Sequence, residues 1–249
     1  MTMNILPPFT ANPALIATLQ TTGYAVLNQL NALQLVACTA KDAEAWLPSW
    51  NDLPPDAYLK DGGHYRRRRH SCFVVNGESA LQTEHRAHWQ PLEYNALHGG
   101  MQRMFEPMRA DVVQSSAWTT LLSKLGEVCS ALKPQTTTWF VEAHQFRIDT
   151  TDGIGRPTPE GAHRDGVDFV AVILINRHGI KGGETRVFEV NSPAGQRFTM
   201  TEPWTLLLLD DERVIHESTP IQPLDAQDSG TSYRDTLVLT FRAKAFQGE

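Results

Sequence analysis

Apolar and polar positions follow two different rhythms in the two halves of the chain. From Thr136 onward, β-branched and aromatic residues gather in runs at 137–148, 167–176, 184–190, 203–210 and 234–242, and this spacing predicts an all-β sandwich or barrel. The breaks between runs carry turn chemistry: Thr151 to Gly155, Gly182-Gly183, Ser192 to Gly195 and Asp228 to Gly230. The first half is mostly helix and loop. Pro13 to Leu19 has helical spacing, Gly23 to Leu27 looks like a strand, and Asn31 is placed to cap a helix over about Ala32 to Leu47. Residues 48–64 hold three prolines and a Gly-Gly pair and read as an ordered loop. Two further helices are expected at 96–110 and 117–132. Met101, Met104, Phe105 and Met108 in one, and Leu121, Leu122, Leu125 and Val128 in the other, recur at steps of three and four. Core packing is the expected role of the methionine stripe.

With 249 residues, 41% of them hydrophobic, the chain can bury the core of one domain over 1–249, with a helical, loop-rich part over 1–135 and a stranded core over 136–243. Twenty-two basic against 28 acidic residues give a net charge of −6, so there is no global attraction for nucleic acid or an anionic membrane. The longest apolar runs, Val170 to Ile175 and Leu206 to Leu209, are too short to span a bilayer, and the start MTMNILPPFT lacks a basic region followed by an apolar stretch. A cytoplasmic protein is expected. Cys38, Cys72 and Cys129 are scattered, without a C-x-x-C pair, and are expected to be reduced structural thiols.

Of nine histidines, one has a partner at ligand spacing. His163 and Asp165 are two apart, and in extended chain such residues share a face. His216, 53 residues downstream after an apolar run, offers a third donor. Two imidazoles and a carboxylate on one side of a metal leave the other side open, which suits Fe(II) in oxygenases; zinc accepts the same donors. His64 and His70 flank an arginine run, His85 and His88 have helical spacing, and His98 and His178 abut glycines; solvated or hydrogen-bonded roles are expected for these.

Eighteen residues after His216 begins an alternating run in which Arg234, Thr236, Val238 and Thr240 share a face. Arg followed at i+2 by a hydroxyl residue can hold a carboxylate through a fork and one more hydrogen bond. Arg242 is a second candidate. In the 137–148 run, Gln145 and Arg147 share one face and His144 and Phe146 the other. Arg66 to Arg69 suggest either anion binding or solvated loop charge.

In its order of motifs, residues 137–242 resemble the Fe(II)- and 2-oxoglutarate-dependent dioxygenases. Glu142 to Ile148, His163 to Val170, Gly182 to Thr185, Ile215 to Ile221 and Arg234 to Thr240 look like the bacterial branch that hydroxylates free L-amino acids, of the L-isoleucine 4-hydroxylase type. The resemblance implies a mainly β, α+β fold, a double-stranded β-helix or cupin-like jelly roll with helices outside. It implies Fe(II), 2-oxoglutarate and O2, with His163, Asp165 and His216 as iron ligands and Arg234 with Thr236 as the anchor of 2-oxoglutarate. The expected reaction hydroxylates a free L-amino acid, aliphatic side chains favoured, and releases succinate and CO2. The partner is then a small molecule, with no nucleic acid and no membrane. Gln145 and Arg147 are expected to face substrate, Arg67 or Arg69 to clamp its carboxylate, and Glu142 or Asp168 to lie near its amine. The interval from His216 to Arg234 is long, with a loop inserted over Pro220 to Thr231. Two alternatives stand beside this reading: the same iron chemistry on a nucleic-acid base or peptide, and a jelly-roll binding module without catalysis.

Overall fold

Two antiparallel sheets face each other, and both halves of the chain contribute to the larger one. The computed structural model describes residues 5–192, 194–225, 227 and 232–248. In chain order the strands are β1 (Tyr24–Leu27), β2 (Arg66–Asn76), β3 (Ser79–Gln82), β4 (Thr138–Asp149), β5 (Phe169–His178) and β6 (Ile180–Gly182). Then come β7 (Thr185–Glu189), β8 (Gly195–Phe198), β9 (Leu206–Asp210), β10 (Val214–Ser218), β11 (Ile221–Pro223) and β12 (Tyr233–Arg242). The larger sheet has seven strands in the order β1-β9-β5-β12-β4-β2-β3; the smaller has three, β10-β7-β8, and β11 pairs with β6. This is a mainly β, double-stranded β-helix with helices packed outside.

Strand alternation divides the larger sheet into two faces. Phe73, Val75, Trp139, Val141, Ala143, Leu237, Leu239 and Phe241 point outward into a core shared with the helices. Helix α1 (Leu15–Thr22), α3 (Ala40–Trp46) and α5 (Ser116–Leu132) cover that face. Helix α5 follows its predicted span. Ser115 caps it by accepting from the Trp118 N–H, and its stripe of Trp118, Leu121, Leu122 and Leu125 is buried, each side chain contributing roughly 1.5–3 kcal/mol. The inner face meets the smaller sheet through Val170, Leu174, Phe198, Leu207 and Leu209 at one end and is open as a cleft at the other.

Three expectations from the sequence change. The helix over Ala32 to Leu47 is two helices, α2 (Gln29–Leu35), capped by Asn28 rather than Asn31, and α3, begun by a capping box between Thr39 and Asp42. The helix over 96–110 is not formed; only α4 (Ala110–Val113) is helical there. A Cβ at Gly99 would lie 2.4 Å from the Asn95 carbonyl oxygen, and the segment bonds elsewhere, Glu106 O accepting from His70 N and Ser71 Oγ from Met108 N. Phe105 and Met108 are buried, but Met104 is exposed. Finally, the arginine run is not a loop: it opens β2, an eleven-residue strand in the part expected to be helix and loop, with Arg66 and Arg68 buried and Arg67 and Arg69 partly exposed. The turn over Asp228 to Gly230 lies outside the described residues. Cys38, Cys72 and Cys129 are buried, and among the described residues no disulfide forms. Among the described residues, no helix is long and apolar enough to cross a membrane.

Candidate active site

The register of β2, β4 and β12 sets the inner wall row by row. Ile148 lies between Arg66 and Arg234, Phe146 between Arg68 and Thr236, and His144 between His70 and Val238. These residues line or back a cleft that is also lined by His163, Asp165 and His216. Four arginines, Arg66, Arg68, Arg103 and Arg234, but only two carboxylates, Glu160 and Asp165, reach that lining. The lining therefore carries more basic than acidic groups, with the Asp56 and Glu142 carboxylates buried behind it.

His163 lies before β5 and His216 on β10, and a backbone bridge joins them: each N–H donates to the other's carbonyl, at 3.0 and 2.9 Å. Asp165 stands between the rings, 3.7 Å from His163 Nε2 and 3.8 Å from His216 Nε2. Those separations are too long for hydrogen bonds and suit donors gathered around one divalent ion with bonds of roughly 2.0–2.2 Å. Two contacts aim Asp165. Gln90 Nε2 donates to its Oδ1 at 3.1 Å, while Arg103 and Asn95 hold Gln90 Oε1. Asp211 accepts from the backbone N–H groups of Asp165, Gly166 and Val167, fixing the turn itself. Gly166 has φ +75, and a Cβ there would strike the Tyr94 ring at 2.4 Å, so glycine is required. Burial and the charge of Asp165 raise the Asp211 carboxyl above its ordinary range.

A second group of metal-ligand side chains lies under the wall of the same cleft: His70, His88, Glu142 and His144, all buried. Its spacing is different. Glu142 Oε2 is 3.0 Å from His70 Nε2 and 2.6 Å from His88 Nδ1, which are hydrogen-bond distances. Arg68 Nη2 lies 2.7 Å from His144 Nδ1, placing a cation against the cluster. Burial pushes His70 and His144 below their ordinary values and His88 down to about 4. The expectation of hydrogen-bonded histidines holds for His70 and His88; the solvated alternative does not. His88 sits in irregular chain, bridged to Arg103, not on a helix.

The structure brings His163, Asp165, His216, Arg234 and Thr236 to the cleft and sends the predicted substrate residues elsewhere. Gln145 and Arg147 lie on the outer face of β4. Gln145 donates to Ser49 Oγ, and Arg147 pairs with Asp235 at 2.7 Å. Alternation along β4 holds, but the opposite face is the inward one: His144, Phe146 and Ile148 line the cleft. Likewise Arg67 and Arg69 point away, toward Asp149 and Glu106, whereas Arg66 and Arg68 point in, because β2 alternates. Glu142 is taken up by the histidines and Asp168 by Lys133. Arg242 donates to the Ala245 carbonyl. Val172 and Val238 form cleft wall, while Leu174, Leu206 and Leu208 are core.

A jelly roll whose two histidines and one aspartate converge on a cleft defines a class of metal-dependent oxygenase. A family model described as 2OG-Fe dioxygenase matches residues 47–240, and the chain belongs to that family. It is an enzyme that works with Fe(II), 2-oxoglutarate and O2. Among solved structures, a BsmA homologue from Methylobium petroleophilum PM1 is 49% identical, with TM-score 0.90 over 98% of this chain and 97% of that one. IDO from Bacillus thuringiensis shares the fold at 17% identity and TM-score 0.73, over 98% of this chain and 99% of that one. The Fe(II)/α-ketoglutarate-dependent dioxygenase TqaL shares it at 20% and 0.71, over 95% of this chain and 88% of that one. No curated protein matches the chain in sequence.

Proposed function

We propose that this dioxygenase hydroxylates a free L-amino acid, aliphatic side chains favoured, and forms succinate and CO2 from 2-oxoglutarate. His163, Asp165 and His216 hold Fe(II) in this reading, and Arg234 with Thr236 anchors the distal carboxylate of 2-oxoglutarate. The donor chemistry fits. His163 Nδ1 donates to the Gly161 carbonyl, which leaves the lone pair on Nε2, beside Asp165. The Arg234 guanidinium is buried, with an unpartnered Nε–H, and pairs in register with Arg177. Among the described residues neither guanidinium is bridged to a carboxylate, so a carboxylate ligand relieves their repulsion. Burial, then Arg177, draws Arg234 down to about 10, so it stays charged at neutral pH.

Bound Fe(II) and 2-oxoglutarate supply O2 activation and C–H oxidation. The chain's own part is to orient and to keep water out: Phe146, Ile148, Val167, Val172 and Val238 make an apolar wall. One observation carries the amino-acid reading. The cleft has a second cationic station, separate from Arg234, where Arg66, Arg68 and Arg103 are buried and Arg66 Nη2, Arg68 Nε and Arg103 Nε lack partners. Asp56 bonds Arg66 at 2.7 Å and is 4.0 Å from Arg68, and Glu142 and Glu160 add negative charge nearby, but these carboxylates fill only part of the hydrogen-bonding capacity of the three guanidiniums. A second carboxylate, that of a small substrate, supplies the rest. The test is anaerobic loading with Fe(II) and 2-oxoglutarate, then O2 with each common L-amino acid in turn. Succinate release stimulated by one or a few is the expected result; no stimulation by any overturns the reading.

A further inference from the structure

We propose that the array of Glu142, His70, His88, His144 and Arg68 is a fixed-tautomer subsite that reads both charged ends of a free α-amino acid, Arg68 taking the carboxylate and His88 Nε2 accepting from the α-ammonium. This rests on the amino-acid reading above and goes further, because it requires an unblocked amine.

Burial works against the Glu142 carboxylate, but the two histidines outweigh it and hold the group below its ordinary range, so it is ionised and only accepts. His70 must then donate from Nε2 and His88 from Nδ1. His88 keeps its lone pair on Nε2, on a ring that lines the cleft. Arg68 only donates, so His144 Nδ1 accepts and its proton sits on Nε2. Arg68 itself is immobilised: its guanidinium carbon lies 3.8 Å from the centroid of the Phe105 ring and 4.4 Å from that of Phe146, with Nε unpartnered. Both reading groups touch the His144 ring. Arg68 bonds one edge of it, and His88 packs edge-on against it with centroids 4.7 Å apart. An anion reader and a neutral acceptor therefore border one ring in the cleft lining. A divalent cation at this cluster would have to displace two short hydrogen bonds beside Arg68, which favours recognition over metal binding.

The test is calorimetric titration of the full-length protein, held anaerobically with Fe(II) and 2-oxoglutarate. The ligands are L-leucine, L-isoleucine, L-valine and L-methionine, then 4-methylpentanoate and N-acetyl-L-leucine. The amino acids should bind roughly 10- to 100-fold more tightly than the two analogues, the value of a hydrogen bond to a charged group. His88→Leu should erase that preference, whereas Arg68→Lys should weaken amino acid and des-amino acid together and keep it. Glu142→Leu removes Oε2, the single oxygen that accepts from both His70 and His88. It should narrow the preference and move the His88 proton between ring nitrogens, visible in imidazole ¹⁵N shifts. Amino acids that bind no better than their analogues to wild type overturn the inference without any variant, and leave the hydroxylase reading standing. No binding and no stimulated succinate with any amino acid overturns both. A second equivalent of Zn(II) on wild type that is lost in Glu142→Leu also overturns the inference.

Discussion

The cleft is bordered by two sets of histidines with a carboxylate, made of the same side-chain types and differing by about one ångström in spacing. Around Asp165 the nitrogens stand 3.7 and 3.8 Å off; around Glu142 they stand at 3.0 and 2.6 Å. The wider set leaves its donor atoms unsatisfied by one another and can share an ion. The tighter set has already satisfied itself and works as a rigid polar network. Residue type alone does not separate a metal site from a hydrogen-bond network; distance and the neighbouring charge do.

The comparison breaks most plainly at His216. His216→Ala should lower metal content and turnover by more than the roughly 100-fold upper cost of losing an outer-shell partner; metal analysis after dialysis checks it. Stability should show the reverse pattern. Glu142→Ala strands buried polar rings and should cost about 3–5 kcal/mol, while Asp165→Ala should change metal-free stability by no more than about 1 kcal/mol. Urea melts of the two variants side by side decide whether only the tight set holds the fold.

Acid should act on the tight set next. A free imidazole titrates near 6.5, and burial brings His88 down to about 4, so between those values the unfolded chain binds the extra proton. Stability present at pH 7 is therefore lost as pH falls, on the order of 2 kcal/mol by pH 5 from His88 alone. His70 and His144 shift in the same direction. A thermal melt that does not move between pH 7 and pH 5 would refute this. The smallest effect belongs to the aiming contact: Gln90→Leu removes the bond to Asp165 and should weaken metal affinity roughly 10-fold, measured by chelator competition.

Much of this was legible in the residues because its signals are local. The five strand runs of the second half, α5, the His163-x-Asp165 pair and the Arg234-x-Thr236 pair rest on alternation or helical spacing that tertiary contacts did not override. What was hidden depended on which way a strand faces. Nothing in residues 137–148 says which side of β4 meets the helices, so Gln145 and Arg147 exchanged places with His144 and Phe146. Four consecutive arginines disguised β2 as solvated chain, since their inward members are kept by a cleft that the sequence does not show. One signal was available: His70 continues the Arg66, Arg68 parity, and an i, i+2 row of cation, cation and imidazole ending in Cys72 is unusual for a solvent-facing loop.

The position of β12 has a consequence for synthesis. It lies between β4 and β5 and pairs with both along their lengths, so the two strands that flank it are not neighbours until residues 233–242 insert. Arg234 and Thr236 arrive with it. A nascent chain emerging from the ribosome thus carries the three residues proposed to hold Fe(II), complete by His216, before the last strand of the wall that faces them exists. Any product stopped short of residue 233 would expose two unzipped strand edges and lack the proposed 2-oxoglutarate anchor, so on that reading premature termination costs sheet closure and co-substrate binding together.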